Sequence, residues 1–223
     1  MRIWRRVFVI TPAAAVVTCL LLSVMAVSSR AAQPIQDLAK VAKGATVSPL
    51  RAGTTYGASL INPTLNLTPA VRGWGGGQLV THKGGKVRYE SAIFFWHDAT
   101  HEVDIVSGPA MSMSPADTLA QPRSRIPGWE FAPYTPPTPV MQRTIAGRKA
   151  IYFDGTPPPK YAWTLVGKNP PELKIDPDTS FRMEALSVRG KTVVIVVRAP
   201  AAAFTQFLPI AERLLATLRF PPS

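Results

Sequence analysis

At 223 residues and 46% apolar composition, the chain is long enough for one domain to bury most of its own surface. A formal net charge of +12 comes from 25 Lys and Arg against 13 Asp and Glu; it suits anionic headgroups or acidic wall polymers, but with no run of four basic residues the favoured reading is spread charge that keeps the protein soluble. The single cysteine is Cys19, so residues 32–223 hold no disulfide, thiolate nucleophile or Cys-ligated metal.

The first 31 residues read as an export segment. Arg2, Arg5 and Arg6 precede an uncharged apolar run over 7–27, and Ser29-Arg30-Ala31 is a small-residue cleavage site before Ala32. Arg5-Arg6-Val7-Phe8-Val9 resembles a twin-arginine export motif, and a Sec signal is the alternative. The apolar run is also close to the ~20 residues that span a bilayer, so an uncleaved N-terminal anchor with its basic end in the cytoplasm stays open. Cys19 lacks the flanks of a lipid-attachment site. In both cases the body of the protein faces outward, a location that excludes ATP-driven cytosolic chemistry and nucleic-acid partners. The expected organisation is 1–31 signal or anchor, 32–55 leader or linker, and 56–223 a single domain.

Along the domain, 35–43 is a short amphipathic helix or part of the leader. Residues 56–61 and 65–67 are short strands, broken by Pro63 and Pro69. Gly73-Trp74-Gly75-Gly76-Gly77 reads as a turn, with Trp74 as a core plug. Residues 78–82 and 86–96 form a hairpin across Lys83-Gly84-Gly85, where the glycines supply positive φ. A strand follows over 101–108. Ser114-Pro115-Ala116-Asp117 starts a helix, with an N-cap serine, a proline at the first position and an acid near the positive end of the dipole, and Pro122 stops it. Residues 139–145 and 148–153 make a second hairpin, 161–166 a strand, and 181–188 and 191–198 a third hairpin. The β-branched run over 192–197 is buried on both faces, hence central in a covered sheet. The proline-rich stretches at 127–139, 157–159 and 170–171 are stiff connections.

The last element is an amphipathic helix. Phe204, Phe207, Leu208, Ala211, Leu214, Leu215 and Leu218 recur at helical spacing, and Pro209 is expected near its first turn. The polar face carries too few cations for a membrane-surface helix, so the apolar face packs on the sheet. The fold class is α+β: a mostly antiparallel sheet built of hairpins and covered by helices.

Residues 56–74 resemble the opening of PsbP-like domains, with a strand, a proline-containing segment and then Gly73-Trp74. Thr144-Ile145-Ala146-Gly147-Arg148-Lys149-Ala150 resembles their mid-domain hairpin. Residues 191–220 resemble their ending, a hydrophobic strand and then a helix closing in Leu218-Arg219-Phe220. Actinobacterial envelope proteins of the LpqN type share the layout. The resemblance implies an α/β/α sandwich used as an accessory or binding module, generally without enzymatic activity. It is a likeness of layout and brings no site residues with it.

The densest polar cluster is Trp96-His97-Asp98-Ala99-Thr100-His101-Glu102-Val103-Asp104. His97 and His101, with Asp104 or Glu102 as an oxygen ligand, are the candidate zinc set; a solvated turn is the alternative. The reading as a hairpin connection places them on no common helix face. A serine hydrolase lacks its Gly-x-Ser-x-Gly elbow, Ser107 reads as a strand end, and the glycine runs lack P-loop spacing.

Three functions follow as expectations. The first is an exported, non-enzymatic envelope module that binds an anionic lipid, a cell-wall polymer or a protein partner. The second is a metal-binding protein or metal-dependent hydrolase using His97, His101 and Asp104. The third is a sensor or interaction domain held by an uncleaved anchor. The sequence names no cofactor.

Overall fold

A computed structural model describes residues 34–41, 47–83, 85–108, 114–119, 140–157, 163–166 and 173–222. The expected export segment, the proline-rich stretch over 127–139 and Pro122, Pro158, Pro159, Pro170 and Pro171 lie outside these residues. Contacts divide the chain into residues Met1–Gln33 and a compact unit, Pro34–Ser223.

The compact unit opens with β1 (Gln36–Asp37), α1 (Leu38–Val41) and β2 (Ser48–Pro49), followed by β3 (Tyr56–Ala58) and β4 (Leu65–Leu67). The stretch expected as a leader therefore contributes elements of its own: Leu38 and Leu50 are buried, and β2 pairs with the large sheet. The long strands are β5 (Trp74–Lys83), β6 (Lys86–Trp96) and β7 (Asp98–Ser107). After them come α2 (Pro115–Leu119), β8 (Met141–Ile145), β9 (Arg148–Gly155), β10 (Trp163–Val166) and β11 (Leu173–Ile175). The hairpin β12 (Thr179–Val188) and β13 (Lys191–Pro200) leads into α3 (Ala201–Leu215).

Eight strands form one sheet in the order β2-β5-β6-β7-β13-β12-β9-β8, every neighbouring pair antiparallel. Three expected hairpins are present: β5–β6, β8–β9 and β12–β13. Ala146 and Gly147 in one turn, and Arg189 and Gly190 in another, all take positive φ, which matches the twist of tight hairpins. As expected, β13 is central, and its residues 193–197 are fully buried.

The two faces are covered differently. Val193, Ile195, Val197 and Ala199 of β13 meet Phe204, Phe207, Ala211, Leu214 and Leu215 of α3. Tyr56, Ala58, Leu65 and Leu67 from the small sheet β1-β3-β4 complete that core. On the opposite face, Val194 and Val196 join Phe153, Phe181 and Met183, closed by Leu119 of α2 and Ile175 of β11. Burying each such side chain contributes roughly 1.5–3 kcal/mol. The architecture is thus mainly β with few helices: the strands expected over 56–61 and 65–67 share the covering of one face with α3, and β11 shares the covering of the other with α2.

Helix α2 has the expected N-terminus: the Asp117 backbone N–H donates to Ser114 Oγ at 3.1 Å. Helix α3 begins at Ala201, three residues before the expected apolar stripe, which puts Pro209 in the helix interior and not near the first turn. It is tolerated there because Pro209 and Thr205, whose carbonyl loses its i+4 partner, both lie on the exposed face. Beyond α3, Arg219 and Asn66 exchange backbone hydrogen bonds at 2.8 Å, tying the chain end to β4. Among the described residues no helix is long and apolar enough to cross a membrane.

Candidate functional site

The glycine run expected as a turn is the start of β5. Ser48 pairs with Gly76 and Pro49 with Gly75, so residues 47–50 lie directly against a stretch of strand without side chains. A Cβ on Gly75 would stand 2.8 Å from Val47 Cγ1. On Gly76 it would stand 2.9 Å from Leu50 Cδ1 and 3.0 Å from Phe94 Cδ1. Only glycine admits this approach, and the Leu50 N–H seals it by donating to Trp74 O at 2.8 Å. Trp74 is buried as expected, edge-on to Trp96 at 5.2 Å.

The result is an open groove of about 1020 Å³ at the end of the sheet. Val47, Leu50 and Phe95 supply apolar wall, Arg51 and Arg72 stand exposed on its border, and Asp98 adds one carboxylate to the lining. Neither arginine side chain has an ion pair or hydrogen bond among the described residues. The Arg51 backbone is fixed, its N–H donating to Tyr56 Oη at 2.8 Å. Single arginines 21 positions apart in sequence give no cluster to read; only the packing of residues 47–50 on the glycines brings them to one groove.

His97 lines the same groove. It is the sole residue between β6 and β7, with φ 62°, and its N–H donates to Gly73 O at 2.9 Å. Its ring stands edge-on to Trp96 at 4.5 Å. His101 lies elsewhere: its ring packs against Phe207 of α3 at 5.2 Å, and Nδ1 meets Asp98 Oδ1 at 3.0 Å. Asp98 Oδ1 also accepts from the Thr100 hydroxyl at 2.6 Å and the Thr100 N–H at 2.8 Å. These bonds, the Thr100 hydroxyl first and His101 next, hold the Asp98 carboxyl well below the usual carboxylate range.

Asp104 is not beside His101. Successive side chains of β7 alternate, and Asp104 points to the sheet face opposite α3. There it lies two residues from Glu102, whose Oε2 accepts from Arg198 Nη2 at 2.6 Å. Burial pushes Asp104 up to about 8, with the neighbouring Glu102 charge adding to the effect and Arg198 and Ser91 opposing it. Burial likewise raises Glu102, against the pull of Arg198. Asp104 Oδ1 has no hydrogen-bond partner among the described residues. The expected set His97, His101 and Asp104 is thus divided between the groove, the α3 face and the opposite face. Among the described residues no three His, Cys, Asp or Glu side chains gather as a metal site. Ser107 is buried, its hydroxyl donating to Asn62 O at 2.8 Å.

A second cavity, about 510 Å³, is bordered by Arg143, Glu212 and Arg219. Its charges are already engaged. Arg143 holds Glu184 and Glu212, and Arg219 Nη1 donates to the carbonyls of Ala216 and Leu218. Arg182 ties the same Glu212 to Asp154 and stacks over Tyr152 at 4.5 Å, fastening α3 to β9 and β12. This cluster is structural, which leaves the groove, whose arginines have no ion pair among the described residues, as the candidate site.

No protein-family model matches the chain, and no curated protein matches it. Among solved structures, LpqN of Mycobacterium tuberculosis, described as involved in cell envelope biogenesis, shows a weak structural resemblance: 12% identity and a TM-score of 0.35, over 79% of this chain and 91% of LpqN.

Proposed function

We propose that this chain is an exported, non-enzymatic binding module whose groove beside β2 takes an anionic group, such as the phosphate of a lipid headgroup or of a cell-wall polymer. The observation that carries this reading is the pair of exposed arginines, Arg51 and Arg72, bordering an apolar-walled groove without any charged partner of their own among the described residues. A guanidinium offers five donors in a planar fork, suited to phosphate or carboxylate. Apolar wall beside a few fixed polar groups is the common make-up of a ligand site. The basic, apolar N-terminal segment supports export, and the net +8 of residues 32–223, 21 Lys and Arg against 13 Asp and Glu, draws the exported body to anionic surfaces.

Calorimetric titration with soluble poly(glycerol phosphate) and with short-chain phosphatidylglycerol tests the reading, with uncharged dextran as control. Saturable binding of an anionic probe is expected. The Arg51→Ala/Arg72→Ala variant should weaken it at least about tenfold, since hydrogen bonds to charged groups contribute roughly 1.5–3 kcal/mol each. Equal affinity in variant and wild type would refute the assignment.

A further inference from the structure

We infer that the groove's ligand is an anionic amphiphile: its charged group sits between Arg51 and Arg72, and its apolar chain lies along the sheet from Phe95 across Ile93 to Leu79. This rests on the groove reading above and names its ligand class. Registry pairs Gly75 with Phe95, Gly77 with Ile93 and Leu79 with Ser91, so these positions share the face opposite α3. On a sheet face in contact with water, alternation puts polar side chains at such positions. Here Leu79 is 43% exposed, Val47 38%, and Ile93 and Phe95 are half-buried. Among the described residues the core on this face is built from β7, β9, β12 and β13 with α2 and β11, and includes none of the four.

The stripe is continuous with the groove, because Phe95 and Val47 belong to both. From Phe95 to the level of Leu79 it runs four residues, about 13 Å at ~3.3 Å per residue. Its charge is polarised: Arg51 and Arg72, without an ion pair among the described residues, outnumber the one carboxylate, Asp98, at the groove end, while Glu102, opposite Phe95 on the flanking strand β7, is already bound to Arg198. An apolar stripe with cations at one end complements a molecule with an apolar chain and an anionic head. A second copy of this chain, with the same arginines, would set like charges together if its groove met this one.

Calorimetry on the full chain with three probes tests this: monomeric short-chain phosphatidylglycerol, glycerol phosphate, and short-chain phosphatidylcholine. Phosphatidylglycerol is expected to bind at least tenfold tighter than either of the others, with a negative heat-capacity change that glycerol phosphate lacks. Leu79→Asp should weaken phosphatidylglycerol at least tenfold and leave glycerol phosphate unchanged. Leu60→Asp, at a residue 46% exposed and outside the stripe, should change neither. Equal affinities for phosphatidylglycerol and glycerol phosphate, with Leu79→Asp inert, overturn the amphiphile and leave the groove reading standing. Unchanged binding in Arg51→Ala/Arg72→Ala overturns the groove reading itself. Binding to phosphatidylglycerol vesicles but never to the monomeric lipid overturns the single-molecule seat in favour of a membrane surface. A dimer that Leu79→Asp dissociates overturns it in favour of self-association.

Discussion

Glu184 lies fully buried beneath α3 with both carboxylate oxygens held by one guanidinium, Arg143 Nε at 2.7 Å and Nη2 at 2.6 Å. Burial still raises the Glu184 carboxyl, so desolvation outweighs the attraction of Arg143. Removing the arginine alone exposes that cost. Arg143→Met is expected to destabilise the fold by about 3 kcal/mol, the low end for a broken buried pair, because Arg182 still attracts Glu184. The double variant Arg143→Met/Glu184→Met should recover most of the loss. Urea midpoints at constant m-value measure both. A double variant no better than the single one refutes this account.

Asp104 gives stability a pH dependence of defined sign. Its carboxyl titrates near 3.8 when unfolded and is pushed up to about 8 in the fold. Between these values the folded state holds the proton that the unfolded state has lost, so stability falls as pH rises from about 4 to 8. Glu102, also raised by burial, contributes in the same direction. Asp104→Asn removes the larger part. At pH 8 the variant should gain at least about 1 kcal/mol, roughly 2–4 °C in Tm, and at pH 4 little or nothing. Thermal melts at the two pH values decide it; a gain equal at both counts against a titrating Asp104.

The hairpins were legible because local chemistry made them: Gly85, Gly147 and Gly190 all sit at positive φ in turns between strand-like runs. The burial of β13 on both faces was legible from an unbroken β-branched run. Other features depend on partners distant in sequence. Gly75 and Gly76 look like a turn until Val47 and Leu50 are found packed on them. His101 and Asp104, three residues apart, look clustered until β7 sends them to opposite faces. Arg51 and Arg72 carry no sequence signal, because only the β2–β5 pairing makes them neighbours of one groove.

Pro209 interrupts α3 at no benefit to the core. It sits exposed in the helix interior and denies the Thr205 carbonyl its partner. Proline costs up to about 3 kcal/mol relative to alanine at such a position, less where the freed carbonyl is hydrated. Pro209→Ala should therefore raise stability by about 1–3 kcal/mol, seen as a higher urea midpoint. A neutral or destabilising result means that α3 is shaped around the proline.

Gly76→Ala separates the packing of the groove from its charge. The added methyl would meet Leu50 Cδ1 at 2.9 Å and Phe94 Cδ1 at 3.0 Å. Phe94 is fully buried and held by the core, so Leu50 is the residue that must move. Arg51 follows it in sequence and borders the groove. The variant should lose about 1–3 kcal/mol, as overpacked sites do. It should also bind glycerol phosphate more weakly than wild type, although every cation remains in place. If the variant loses stability but keeps its affinity, Arg51 is set by its Tyr56 hydrogen bond and not by the glycine run.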